Sequence, residues 1–246
     1  MNECSFIYCY VSDPENCINL REFKGFSWRL YPHVATPVRD MANGRRRANK
    51  EMRRQQLIRA TIKCVAKRGL AETTMADVTQ EAGLSLGIVN LHFQSKDKLF
   101  VEALRYLSEE YELACQSAIA KAGPSAAERL SALVNLDFSP RVADRRKIAV
   151  WFAFWGEAKS RPTYMQLCAE KDRRYEETVA RLCQEIIDAG GYEHVRAPDI
   201  ANGLSAMVNG LWLDLLMTPE DMDRDKAKSI CRGYLAQTFP AHMPAG

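Results

Sequence analysis

Two stretches of this sequence hold residue types whose spacing could do chemistry. In the first, residues 45–68 carry ten Lys/Arg and one Glu, a local charge of +9, whereas residues 1–44 sum to −1 and residues 69–246 to −5. Such a block suits a polyanion. A solvated basic helix face is the plain alternative, but ten cations in 24 residues go beyond it. The second stretch is WFAFWGE, residues 151–157. Trp151 and Trp155 are four apart and share a helix face, with Phe152 and Phe154 beside them and Glu157 close by. Aromatic faces with a carboxylate are what a quaternary ammonium needs, at roughly 0.5–2 kcal/mol per ring. Ordinary core packing is the competing explanation. Tyr164 and Trp212 join Trp151, Trp155 and Glu157 as candidate ligand-binding residues.

These groups must be positioned by helices. Ile58, Ile62 and Val65 recur at helical spacing from Arg53 onward, and Gly69 supplies a stop. Thr74 and Asp77 form a T-x-x-D capping box, and Gly83 ends the short helix that follows. Ser85 caps a second short helix, in which Ile88, Val89 and Leu91 supply apolar contacts. Ser95 then opens a much longer one. Ser125 with Glu128 makes another capping box. Pro162 sits in the first turn of a helix that Gly190–Gly191 ends, Pro198 opens another, and Asp223 caps the last. Nine helices and no strand alternation predict an all-α fold. Residues 45–98 read as a small basic domain, and 99–240 as a larger helical one. Residues 1–44, interrupted by Pro14, Pro32 and Pro37, read as an irregular extension, with Met41 an alternative start.

Two short helices joined by a tight glycine turn follow the logic of a helix-turn-helix. Gly83 tolerates positive φ, small Ala82 permits close approach, and the second helix can enter the major groove. Leu86, Gly87 and Asn90 then face the bases. Asn90 can pair bidentately with adenine, Leu86 can meet a thymine methyl, and Gly87 lets the backbone come close. Thr74, Ser85, His92 and Lys96 are placed to meet phosphates. For His92 an ordinary core or surface role competes. Arg45, Arg46 and Arg47 precede the expected first helix and would form an arm along the backbone or minor groove.

The run AGLSLGIVNLHFQSKDKLF resembles the signature of the TetR family of repressors, A-G-V-S-x-G-x-x-Y-x-H/Y-F-x-x-K-x-x-L. Ala82, Gly83, Ser85, Gly87, His92, Phe93, Lys96 and Leu99 match it. Asn90 stands where the family usually has Tyr, and Leu91 where His is common. The resemblance implies backbone contacts by Thr74, Ser85, His92 and Lys96, with a C-terminal region that binds an inducer and dimerises. Leu204, Val208, Leu211 and Leu215, at i, i+4, i+7 and i+11, offer a row for a two-fold partner, burial within the protomer being the alternative. WFAFWGEAKSRP and NGLWLDLLM are also similar to the choline-responsive branch of that family, which represses glycine betaine synthesis. That likeness implies choline or a related methylated amine as effector.

Composition narrows the alternatives. At 47% hydrophobic and 26% charged, the chain has the balance of an ordinary globular protein. No run of 18 uninterrupted apolar residues predicts a membrane span, and no basic-then-apolar leader is present. The eight cysteines are scattered without a C-x-x-C pair, which fits reduced thiols in the cytoplasm. Cys4, Cys9, Cys17 and His33 match no common metal spacing, so neither metal nor cofactor is expected. Four scattered histidines, without H-E-x-x-H, G-x-S-x-G or a phosphate-cradling loop, argue against an enzyme. An architectural or non-specific DNA binder is the second reading. The expected partners are operator DNA, a small-molecule effector and a second copy of the chain.

Overall fold

The computed structural model describes residues 38–243, with side chains from residue 46 onward. These residues form nine helices and no strand: α1 (Val38–Glu72), α2 (Met75–Ala82), α3 (Leu86–His92), α4 (Lys96–Lys121), α5 (Ala126–Asp137), α6 (Arg145–Ala158), α7 (Pro162–Gly190), α8 (Ala197–Met217) and α9 (Arg224–Thr238). Two units are distinguishable, residues 1–46 and 47–246. Only residues 38–46 of the first are described, as part of α1. Residues 1–37, with Cys4, Cys9, Cys17 and His33, lie outside the described residues.

The expected irregular segment is corrected at its end. Residues 38–44 are helical, so Met41 falls within α1, and the backbone of Arg45, Arg46 and Arg47 continues that helix instead of forming an arm ahead of it. No proline follows Pro37 until Pro124, and Arg, Met and Ala favour helix in the stretch after it. At the other end Gly69 (φ 79°, ψ 171°) leaves the helical region where the stop was expected.

Between Thr74 and Phe93 the local chemistry acts as anticipated. The Asp77 amide donates to the Thr74 hydroxyl (3.2 Å), and the Thr74 amide donates to the Asp77 carboxylate (2.8 Å). The Thr74 hydroxyl also donates to that carboxylate (2.6 Å), and this bond, with that from the Thr74 amide, holds the Asp77 carboxyl below the usual range. Gly83 (φ 65°) takes the left-handed conformation, and its amide reaches back to the carbonyls of α2. Val78, Val89 and Phe93 are buried together with Leu57, Ile58 and Val65 of α1. Leu91 is the exception: it is 69% exposed and lies outside the core it was assigned to.

Helix α7 is the spine of the rest, packing against α4, α5, α6 and α8. Each large apolar side chain buried there contributes about 1.5–3 kcal/mol. Leu204, Val208, Leu211 and Leu215 of α8 are buried in the protomer's own core and offer nothing to a partner. The outward face of α8 instead carries Ala206, Gly210, Leu213 and Met217. At 21 residues α8 is long and apolar enough to cross a membrane, although its apolar run is interrupted. About 44% of its apolar window is buried, and it packs on α6, α7 and α9 as a core helix does. The five described cysteines are free, and four are buried.

Candidate nucleic-acid interface and ligand cage

The cations of α1 divide into two groups. Lys63 and Lys67 pair with Glu81 (3.2 and 3.4 Å), and Arg68 with Asp77 (3.2 Å), which ties α1 to α2. Arg54 pairs with Glu102 of α4 and lies 5.7 Å from the centre of the Phe93 ring. Arg46, Arg47, Lys50, Arg53 and Arg59 are exposed and make no ion pair among the described residues. The first group builds the head, and the second is available to phosphates. Lys50→Ala is therefore expected to flatten the salt dependence of DNA binding by about one unit of log–log slope. Lys67→Ala should lower stability and leave the slope unchanged; anisotropy titrations across a salt series separate the two.

Helix α3 presents Leu86, Gly87, Asn90 and Leu91 on its exposed side, with Val89 turned inward. Leu91 joins this exposed face by its spacing of four from Gly87. Ser85 occupies the N-cap position of α3 but makes no side-chain capping bond, which leaves its hydroxyl uncommitted. His92 is half-buried. Burial, then Lys50, Arg53 and Arg54, push its pKa below the ordinary value, so its neutral ring can serve as donor or acceptor beside those cations. Lys96 is half-buried, with its ammonium 3.4 Å from the Ala71 carbonyl and 5.2 Å from the Phe100 ring centre. Thr74 caps α2 on the same head, while the Arg45 side chain lies outside the described residues.

The aromatic candidates behave differently. Trp151 and Trp155 of α6 and Trp212 of α8 converge with Tyr111 of α4 around one point, the ammonium of Lys171. It lies 5.4, 5.8, 5.4 and 4.9 Å from the four ring centres, respectively. The Lys171 side chain is only 6% exposed, and its ammonium donates to Asp172 (2.9 Å). Beneath the cage lies Asp137, fully buried at the end of α5. It accepts from the Tyr111 hydroxyl (2.5 Å) and the Tyr175 hydroxyl (2.7 Å), while the Trp212 indole donates to its backbone carbonyl (2.9 Å). Burial raises the Asp137 pKa to about 6 against the opposing pull of both tyrosines and Lys171. Beside the cage, a cavity of about 300 Å³ opens between α4 and α7, with Tyr111, Tyr175 and Lys171 in its wall.

Glu157 and Tyr164 are not part of this cage. Both line a separate cavity of about 190 Å³ together with Leu70 and Ala71 of α1 and Lys96, Asp97 and Phe100 of α4. There Arg161 bridges Asp97 (2.8 Å) and Glu157 (3.6 Å) and stacks 5.4 Å above Tyr164. This is the junction of head and body. Tyr111, Asp137, Lys171 and Tyr175 were missed as cage residues, although each stands in an otherwise apolar helical row.

A basic helix-turn-helix head on a helical body that encloses a cation cage defines a class: a one-chain regulator that reads DNA and senses a small molecule. The comparisons with known proteins fit that class and narrow it. The profile of bacterial regulatory proteins of the tetR family matches residues 57–103, and that of the BetI-type transcriptional repressor C-terminal domain matches residues 126–240. The chain is 32% identical over 188 residues to the HTH-type transcriptional regulator BetI of Burkholderia mallei, covering 76% of this chain and 94% of that protein. The protein of that name from Stenotrophomonas maltophilia is 32% identical over 184 residues, with 75% and 91% covered. A transcriptional regulator from Pseudomonas aeruginosa PAO1 shares the fold with a TM-score of 0.70 at 27% identity, covering 78% and 92%. A regulator from Saccharomonospora viridis, solved in complex with choline, has a TM-score of 0.68 at 24% identity, covering 74% and 94%. The chain belongs to the TetR family of DNA-binding transcriptional repressors, with a C-terminal domain of the BetI type.

Proposed function

We propose that this repressor is released from its operator by a quaternary ammonium compound such as choline, and so controls glycine betaine metabolism in the cytoplasm. The observation that carries this reading is the aromatic cage. Four rings already surround one cation at 4.9–5.8 Å, above a buried carboxylate. A trimethylammonium group needs the same π-faces and the same counter-charge. Asp137, and not Glu157, supplies the carboxylate, and the choline-bound S. viridis regulator of similar fold is consistent with the assignment.

Operator DNA is read by Leu86, Gly87 and Asn90, with Leu91 beside them. Phosphates are met by Thr74, Ser85, His92, Lys96 and the exposed arginines of α1. Two copies associate through the outward faces of α8 and α9, which sets two α3 helices on successive major grooves. Helix α6 is the coupling element: it carries Trp151 and Trp155 at the cage and Glu157 at the head junction, two residues further on. A coupling of about 1–3 kcal/mol suffices for a 5–150-fold loss of operator affinity.

The test is fluorescence anisotropy on labelled DNA from upstream of the protein's own gene, at fixed salt, with scrambled DNA as control and choline as titrant. Selective binding that choline weakens supports the reading, and selective binding indifferent to choline removes the effector. Trp155→Ala should abolish the choline response and spare operator binding, because Trp155 is only half-buried and lies in the body. An unchanged response would take Trp155 out of the cage.

A further inference from the structure

We infer that Lys171 is a tethered surrogate ligand: its ammonium fills the cage in the effector-free protein, and an exogenous quaternary cation binds only by displacing it into the neighbouring cavity. This rests on the cation reading of the site and adds a specificity-determining residue to it.

A lysine on a helix ordinarily carries its charge to water. Lys171 instead stands in the buried row of α7 between Leu167 and Tyr175, with its ammonium ringed by Tyr111, Trp151, Trp155 and Trp212. The cage is therefore occupied, and a trimethylammonium group cannot share a point already held by another cation. The occupant is poorly matched to its site. A primary ammonium has three donors and is strongly hydrated. Here one hydrogen bond, to Asp172, is found, and the ring faces surround the rest. A methylated ammonium has no N–H to satisfy and fits π-faces without that loss. Exchange is thus favoured by hydration and opposed by the tether.

The side chain has somewhere to go. The 300 Å³ cavity shares Tyr111 and Lys171 with the cage and is walled by Glu112 and Glu170, which Arg174 now holds. In the exchange one cation replaces another among the same four rings, while the displaced ammonium moves towards the carboxylates of the cavity wall. It also discriminates: a ligand must bring a cation that the cage prefers to a primary ammonium.

Occupation by Lys171 lowers apparent affinity by the fraction of molecules whose cage is free. Lys171→Ala is therefore expected to bind choline at least about tenfold more tightly than the wild type, read as quenching of tryptophan fluorescence. If the variant fails to fold, the wild type carries the test through lysine acylation followed by peptide mass spectrometry. Saturating choline should raise labelling of Lys171 several-fold, against the usual protection by a ligand, with the other lysines as internal reference. Equal affinities of variant and wild type, or choline binding that leaves Lys171 labelling unchanged or lower, would overturn the displacement and leave the cation reading standing. Absence of choline binding in both proteins would remove that reading, and the surrogate with it.

Discussion

Asp137→Ala is expected to cost about 3–5 kcal/mol of stability at pH 5 and to abolish cation binding. The carboxylate holds two helices together. Two fully buried tyrosine hydroxyls, on α4 and α7, donate to it, and removal leaves both unpaired at about 1–3 kcal/mol each. The cage above also loses its buried carboxylate, with only the part-exposed Asp172 left beside the cation. Asp137→Asn keeps the volume and an acceptor, so it should fold while binding choline at least about tenfold more weakly, a loss of about 1.4 kcal/mol.

The wild type has a pH signature of its own. The groups that face Asp137 are Tyr111 and Cys115 on α4, Lys171 and Tyr175 on α7, and Cys231 on α9. Burial raises the tyrosines well above their ordinary pKa and both thiols to about 12, so none of these four titrates near neutrality. With a folded pKa near 6, Asp137 binds its proton more tightly in the folded chain than in the unfolded one, where it titrates near 3.8. Its ionisation therefore costs stability as pH rises from about 4 to about 6, by about 3 kcal/mol in all, and the cost stays constant above. Asp137→Asn has no such ionisation. Its urea stability relative to the wild type should improve across the same interval, and choline affinity of the wild type should fall below pH 6. A stability difference between the two proteins that does not change between pH 4 and pH 7 would refute the buried, raised carboxylate.

The DNA head was largely legible because its geometry is local. A capping box three residues wide, a glycine at the turn and an apolar residue at every helical interval fix α2 and α3 with little help from the rest of the chain. The division of labour among the α1 cations was not legible. Lys63, Lys67 and Arg68 differ from Lys50 and Arg53 only in what α2 sets opposite them, which depends on the packing angle and not on α1 itself. Leu91 shows the same limit: whether an apolar residue on a seven-residue helix faces core or solvent turns on one step of 100°.

The cage was half legible for a similar reason. A spacing of four put Trp151 and Trp155 on one face, and the structure keeps them together at Lys171. Glu157, two residues beyond Trp155, is rotated about 200° around the helix and cannot share that face. The remaining members come from four other helices, so only tertiary packing assembles them. A signal was nevertheless present. In α7 the buried row runs Leu167, Lys171, Tyr175, Val179, and in α5 Asp137 follows Leu133 and Val134 on the buried side. A charge inside an apolar row is either paired or functional. Here Lys171 pairs with Asp172 among the rings, and Asp137 is held by the hydroxyls of Tyr111 and Tyr175.

Gly210→Arg is expected to turn a dimer into a monomer and to weaken operator binding by about 10²–10⁴-fold, the avidity lost when two linked sites become one. Gly210 lies on the exposed face of α8 between Ala206 and Leu213, and a Cβ built there meets nothing within 4 Å. The outward face of α9 offers a second such position at Gly233, close to the exposed Ile230. Small residues let two helix backbones approach closely, and Leu213, Met217 and Ile230 supply apolar surface around them. Within the protomer the substitution is harmless or better, because Gly in a helix interior costs about 1 kcal/mol relative to good helix formers such as Arg. Thermal unfolding of the body should therefore hold up apart from the contribution of dimerisation. Sedimentation gives the association state and anisotropy the operator affinity, on the same preparation. A Gly210→Arg protein that stays dimeric would move the interface off this face of α8. A monomer with undiminished operator affinity would show that one head suffices and that the pairing of two heads contributes nothing to recognition.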